Sequence, residues 1–264
     1  MPIWLQVAKE VFQILFFTVI GTVTVLTFIK AKRTLLQPIR TEVFKEQLKA
    51  FTDVLSHFNG KGEIELRRSA GIDDFFGANV TALYDIYAHH FFDIEMKEGS
   101  RPYDRSKCPM SRISFKEMEG KFQLADEHIR EVDQPPKPPR PDPRTRAAIW
   151  HKHTHAEAHL PRSMVDFQNA LMRLRESPLV PTELANLLSE YSAVIDENVT
   201  ILCDVLTAAA KEMPEKYPTL EAMKKSSFGW IHARYQDKFK QLKPPADAIT
   251  GYLRSYFGTE ELFE

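Results

Sequence analysis

The chain has 264 residues, with 35 Lys plus Arg against 36 Asp plus Glu and a hydrophobic fraction of 43%. The near-neutral balance gives no electrostatic basis for a nucleic-acid surface, and the apolar fraction allows a buried core. Two cysteines, Cys108 and Cys203, lie far apart and form no C-x-x-C pair, which excludes a disulfide framework and a zinc ribbon.

The first element is an uncharged run of 19 residues, Val11 to Ile29, of which 13 are large and apolar. As a helix it spans roughly 28 Å, close to the hydrocarbon thickness of a bilayer. A cleaved signal peptide calls for a shorter apolar core and small residues at a cleavage site, whereas Lys30-Ala31-Lys32-Arg33 follows here. A buried core helix is seldom uncharged for so long with bulky residues on every face. The reading is therefore a retained membrane anchor over residues 1–30, with Val11, Ile14, Phe16, Val19, Val23, Leu26 and Ile29 facing lipid.

Lys9 and Glu10 precede the run, and Lys30, Lys32, Arg33, Arg40, Lys45 and Lys49 follow it. Basic residues stay on the cytoplasmic side. This predicts an N-terminus outside, a cytosolic C-terminal domain, and Lys30, Lys32 and Arg33 at the membrane surface; in a bacterium the membrane would be the inner one. Thr18 and Thr22, beside Gly21, form a small-xxx-small pair that would let two such helices approach. Asn79-Val80-Thr81 and Asn198-Val199-Thr200 match the N-glycosylation pattern, which matters only in a luminal domain.

Beyond Leu36-Gln37-Pro38, the residues Ile39, Val43, Phe44, Leu48, Phe51, Val54, Leu55 and Phe58 recur at helical spacing. They predict an amphipathic helix that packs on the core, closed by Asn59-Gly60-Lys61-Gly62. The stretch Lys61–Ala70 looks irregular. A second helix is expected over about Gly71–Lys97 and a third over Ser111 to about Val132, although Ser111–Phe115 also suits an extended segment. Residues 134–143 contain six prolines, which no helix or central strand holds; they read as an extended connector.

The second half is again helical in pattern: Arg144–His159, Met164–Arg175, a long leucine-rich run from Pro181 to about Ala209, Thr219 to about Leu242, and Pro244 to about Phe257. The fold class expected is all-α: one N-terminal transmembrane helix, then a cytosolic helical bundle. Segments 31–133 and 144–264, joined by the 134–143 connector, are expected to share one bundle. The aromatic residues of the first half exceed what three helices bury, and the helix from Leu184 to Leu206 is their natural cover.

One cluster suggests chemistry. Four of the nine histidines fall between His151 and His159. On a helix His151, His155 and His159 share a face through i, i+4 steps, a spacing at which imidazoles can chelate a divalent metal. A further ligand could come from Asp85, His89, His90 or Asp93. An exposed polar helix explains the same residues, and neither H-E-x-x-H nor a P-C-x-x-C partner accompanies them. Phosphate-binding loops and nucleophile-elbow motifs are absent. The expectation is a membrane-anchored interaction protein, an assembly factor, sensor or effector without catalytic chemistry. It would act on the bilayer together with a protein partner or a second copy. The alternative is a metal-dependent enzyme centred on His151, His155 and His159.

Overall fold

A computed structural model describes residues 3–97, 99–113, 142–154, 157–225, 227 and 229–258. The chain divides into two units, Met1–Asp53 and Val54–Glu264.

The first unit is one helix, α1 (Ile3–Phe58), whose last turn belongs to the second unit. It runs through Pro38, where a break was expected. Proline lacks the amide that would bond the carbonyl four residues back, so the helix continues there with one rung missing. Residues Phe12–Lys32 are long and apolar enough to cross a membrane, and none of that span is buried. Phe12 is 72% exposed and Phe28 68%. The hydroxyls of Thr18, Thr22 and Thr24 donate to the carbonyls of Ile14, Thr18 and Ile20, each at 2.8 Å. The amphipathic stripe farther on is only partly covered: Val43, Phe44 and Leu48 are exposed, whereas Phe51, Val54 and Phe58 are buried.

In the second unit α2 (Glu63–Ser69) forms where irregular chain was expected. A tight passage at Gly71 leads to α3 (Ile72–Phe92). Gly71 has φ +69°, and a Cβ there would lie 2.5 Å from the Met164 amide nitrogen, so only glycine fits. Helix α3 stops short of Lys97 because Asp93 turns left-handed, at φ 58°. The chain then folds back to β1 (Met110–Ile113), the extended choice for Ser111–Ile113.

The rest of the expected third helix and nearly all of the proline-rich connector lie outside the described residues. The connector's last two residues begin α4 (Pro143–His151): Asp142 caps it by accepting from the amides of Arg144 (2.8 Å) and Thr145 (3.0 Å), and Pro143 opens it. The helix then ends, and β2 (Glu157–Leu160) pairs antiparallel with β1, Ser111 opposite His159 and Ile113 opposite Glu157. This ribbon is the one departure from all-α structure among the described residues.

The remaining helices are α5 (Arg162–Glu176), α6 (Thr182–Lys216), α7 (Leu220–Lys224), α8 (Gly229–Lys238) and α9 (Lys243–Tyr256). The helix expected over Thr219–Leu242 is thus two, α7 and α8. Helix α6 is the axis: α3, α4, α5, α8 and α9 all pack on it. Its buried stripe runs through Leu184, Leu188, Tyr191, Ile195, Leu202, Leu206 and Met213 at spacings of three, four and seven. Phe58 of α1 meets Tyr191 edge-on at 4.9 Å, and Trp150 of α4 packs against Tyr87 at 5.1 Å while its Nε1 donates to Ala210 O at 2.7 Å.

Both Asn-Val-Thr tripeptides are structural. Asn79 is fully buried; its Nδ2 donates to His159 O at 2.9 Å and its Oδ1 accepts from His159 N at 2.8 Å. Asn198 forms the same two-bond clamp with Lys240, both bonds at 2.8 Å. The clamps satisfy backbone groups that no sheet or helix pairs. Tyr191 is the opposite case, a buried hydroxyl with no hydrogen-bond partner among the described residues.

These contrasts predict opposite outcomes. Asn79→Ala and Asn198→Ala each strand one backbone donor and one acceptor, and should destabilise the fold by about 1–3 kcal/mol. Tyr191→Phe removes a buried polar group that bonds nothing, and should leave stability unchanged or raise it by up to about 1 kcal/mol. Thermal unfolding of the full chain in neutral detergent measures all three. A marked loss in Tyr191→Phe would mean that the hydroxyl has an unseen partner.

Candidate functional site

Asp85 is a buried carboxylate of the second unit, held by several donors. It faces inward from α3 with 7% of its side chain exposed. The chain after Asp93 folds back along the same helix and brings three donors to it. The Met96 amide donates to Oδ1 at 2.7 Å, Arg101 Nε to Oδ2 at 3.0 Å, and the Tyr103 hydroxyl to Oδ2 as well. Arg101 also reaches Glu95 at 3.1 Å. Burial by itself would raise the Asp85 pKa. The Tyr103 and Met96 hydrogen bonds and the Arg101 charge together outweigh burial and hold the carboxyl below its ordinary value. Burial and the Asp85 hydrogen bond push the Tyr103 phenol far up.

Beside this carboxylate is a hydrogen-bonded aromatic group. The Tyr84 and Tyr217 hydroxyls bond each other, and Trp230 Nε1 donates to Tyr217 at 2.7 Å and to Tyr84 at 3.3 Å. Lys216 lies over the Trp230 ring at 4.7 Å and Arg234 at 5.2 Å, and Arg234 is held by both oxygens of Glu212. A cavity of about 340 Å³ opens between the two groups, walled by Thr81, Tyr84, Ala88, Ile94, Met96 and Met223, with Asp85 and Glu95 at its polar side. Its volume suits a small ligand.

Three ionisable groups in and around this region, Asp85 on the cavity wall and Tyr87 and Cys108 away from it, are poorly suited to catalysis. Asp85 is ionised and fully engaged, so it offers neither a proton nor a strong base. Tyr87, in the aromatic cluster beside Trp150, is pushed up to about 12, first by burial and then by Tyr217. Burial, with Asp74 and Asp104 nearby, likewise raises the Cys108 thiol, which makes it a poor nucleophile.

The residues singled out from sequence are dispersed. His151 is exposed at the end of α4, His155 lies outside the described residues, and His159 is on β2. The shared helix face therefore does not form, because α4 closes at Lys152 and the chain extends to pair with β1. Among the described residues no group of three ligating side chains comes together. His90 bonds the Arg146 carbonyl at 2.8 Å, and Asp85 is committed to the returning loop. His159 stacks near Tyr103 at 5.2 Å, and burial lowers its pKa against the opposing charge of Glu157.

On α1 the side chains of Ile14, Phe16, Val19, Val23, Leu26, Ile29, Lys30 and Lys32 are all exposed; those of Val11 and Arg33 lie outside the described set. The role of Asp85 was not readable from sequence, since its partners lie 11 to 18 residues farther along a loop. Compared with protein-family models, curated proteins and solved structures, the chain matches none.

Of the lowered pKa values, those of the buried His159 and Asp85 set a pH dependence. A group whose folded pKa lies below its unfolded value contributes full stability above the unfolded value and loses it as pH falls through the folded one. For His159 the loss begins below its ordinary 6.5, and for Asp85 below 3.8. Stability should therefore decline on acidification in two stages. His159→Gln should flatten the upper stage. Asp85→Asn should flatten the lower one and cost about 2–3 kcal/mol at neutral pH, because Arg101 and Tyr103 lose their charged acceptor. Unfolding midpoints measured across the acid range check this; a profile unchanged in both variants would contradict it.

Proposed function

We propose that the chain is a single-pass membrane protein whose helical unit, Val54–Glu264, serves as a tethered interaction module. The observation that carries this reading is the span Phe12–Lys32, long and apolar enough to cross a bilayer and buried nowhere. A helix packed into a soluble core would cover part of such a surface. The threonine hydroxyls fit the same reading, although threonines of the second unit make the same bond. Each is satisfied by its own helix, as lipid requires, since a bare polar group in hydrocarbon costs several kcal/mol. The tether would raise the module's effective concentration toward partners at one membrane.

Orientation rests on charge. Lys30, Lys32 and Arg33 follow the uncharged run Val11–Ile29 at the C-terminal end of the span, which favours the module in the cytosol. Lys45 and Lys49 add less, since each is paired with a glutamate three residues before it, at 2.8 and 2.6 Å. The object of the module would be a protein partner or a second copy of the chain.

Two measurements test this. Deletion of residues 1–32 should move the protein from washed membranes to the soluble fraction; if the truncated chain still pellets, a second attachment exists and the single-anchor reading fails. A reporter active only in the cytosol, fused after Glu264, should work, and one active only outside should be silent. The reverse pattern would invert the proposed topology.

A further inference from the structure

The charges of α1 are unevenly placed. Between Val11 and Thr41 the chain holds Lys30, Lys32, Arg33 and Arg40 and no Asp or Glu; Glu42 is the first carboxylate after the apolar run. Beyond it the signs cancel, because Lys45 pairs with Glu42 at 2.8 Å and Lys49 with Glu46 at 2.6 Å. The uncompensated positive charge of the helix is therefore confined to residues 30–40, the neck by which α1 leaves the apolar span Phe12–Lys32. Lys32 and Arg40 are exposed and make no ion pair among the described residues; Lys30 is exposed too, but already has a contact of its own.

Helical rise fixes the heights of these cations, since α1 stays helical throughout, Pro38 included. Lys30, Lys32 and Arg33 fall at the end of the span, where headgroups border the hydrocarbon. Arg40 lies roughly 12 Å farther along the axis than Lys32. That is past a headgroup layer about 5–8 Å deep, yet within reach of a surface potential that decays over about 8 Å. The other unit adds no such attraction. Val54–Glu264 holds more Asp and Glu than Lys and Arg, so its net charge is negative.

We infer that, on the single-pass reading above, the neck of α1 gathers anionic phospholipids in the leaflet through which it leaves the membrane. Charge identifies the lipid. A zwitterionic headgroup carries an ammonium that cancels its phosphate, whereas an anionic one leaves a full negative charge at the level of the first cations of the neck. One cation near such a surface favours it by about fivefold. No preformed pocket is needed, because lipids diffuse to the helix and exposed basic side chains reach headgroup phosphates as charged hydrogen-bond donors.

The test uses the full chain reconstituted in phosphatidylcholine vesicles that carry a trace of spin-labelled phosphatidylglycerol or spin-labelled phosphatidylcholine. The fraction of label immobilised at the protein gives the relative association of each lipid. Phosphatidylglycerol should be favoured by about fivefold at low salt, and by less at high salt. The Lys32→Gln, Arg33→Gln, Arg40→Gln variant should bring the two lipids close to parity. Lys224→Gln, Lys225→Gln, which removes two cations of the other unit, should behave as the unaltered chain does. Equal association of both lipids with a chain that resists alkaline carbonate extraction would overturn the lipid assignment and leave the single-pass reading intact. A preference that survives the triple neck variant, or is lost equally in the Lys224, Lys225 variant, would overturn it by moving the attraction elsewhere. A chain that carbonate strips from the vesicles would remove both readings together.

Discussion

Helix α6 carries its apolar side chains on a stripe from Leu184 to Met213, and α3, α4, α5, α8 and α9 all rest on it. Hydrophobic burial of this kind is non-directional, so it brings the helices together without fixing where along the axis each one stops. The stops come from particular side chains. Trp150 pins α4 through the Ala210 carbonyl, and Gly71 admits the start of α5 at a distance no other residue allows. Removing α6 from this arrangement would leave five amphipathic faces with nothing to cover.

A helical protein with long connections must satisfy the backbone of those connections without a sheet. Here the same device recurs. Asn79 holds β2, Asn198 holds the chain at Lys240, Asp85 holds the loop at Met96, and Glu63 caps the start of α9. In each case a helical side chain presents its oxygen to a backbone amide outside its own helix. These four side chains are thereby explained as chain fastenings.

The long periodic run of α6 was readable because its apolar spacing needs no partner to be recognised. The same holds for the all-α character and for the uncharged apolar run of α1. Other features depended on distant residues. The ribbon of Met110–Ile113 with Glu157–Leu160 joins segments more than forty residues apart and carries no hairpin turn to announce it. The sequence Arg144–His159 reads as one helix because Ala, Arg and His all tolerate helix, yet pairing with β1 draws its second half into a strand. Pro38 suggested a break that helix propagation on both sides overrides. The cluster around Asp85 is assembled by a loop, and single-sequence periodicity carries no information about where a loop returns.

The buried state of Asn79 and Asn198 bears on how a newly made chain is sorted. Side-chain nitrogens that close a clamp in the finished fold are bare while the polypeptide is still emerging. In a compartment that attaches sugars to Asn-Val-Thr, both would be modified before folding, and neither clamp could then close around a glycan. A chain made there would lack both fastenings, so completion of the bundle would depend on synthesis in a compartment where neither asparagine carries a glycan.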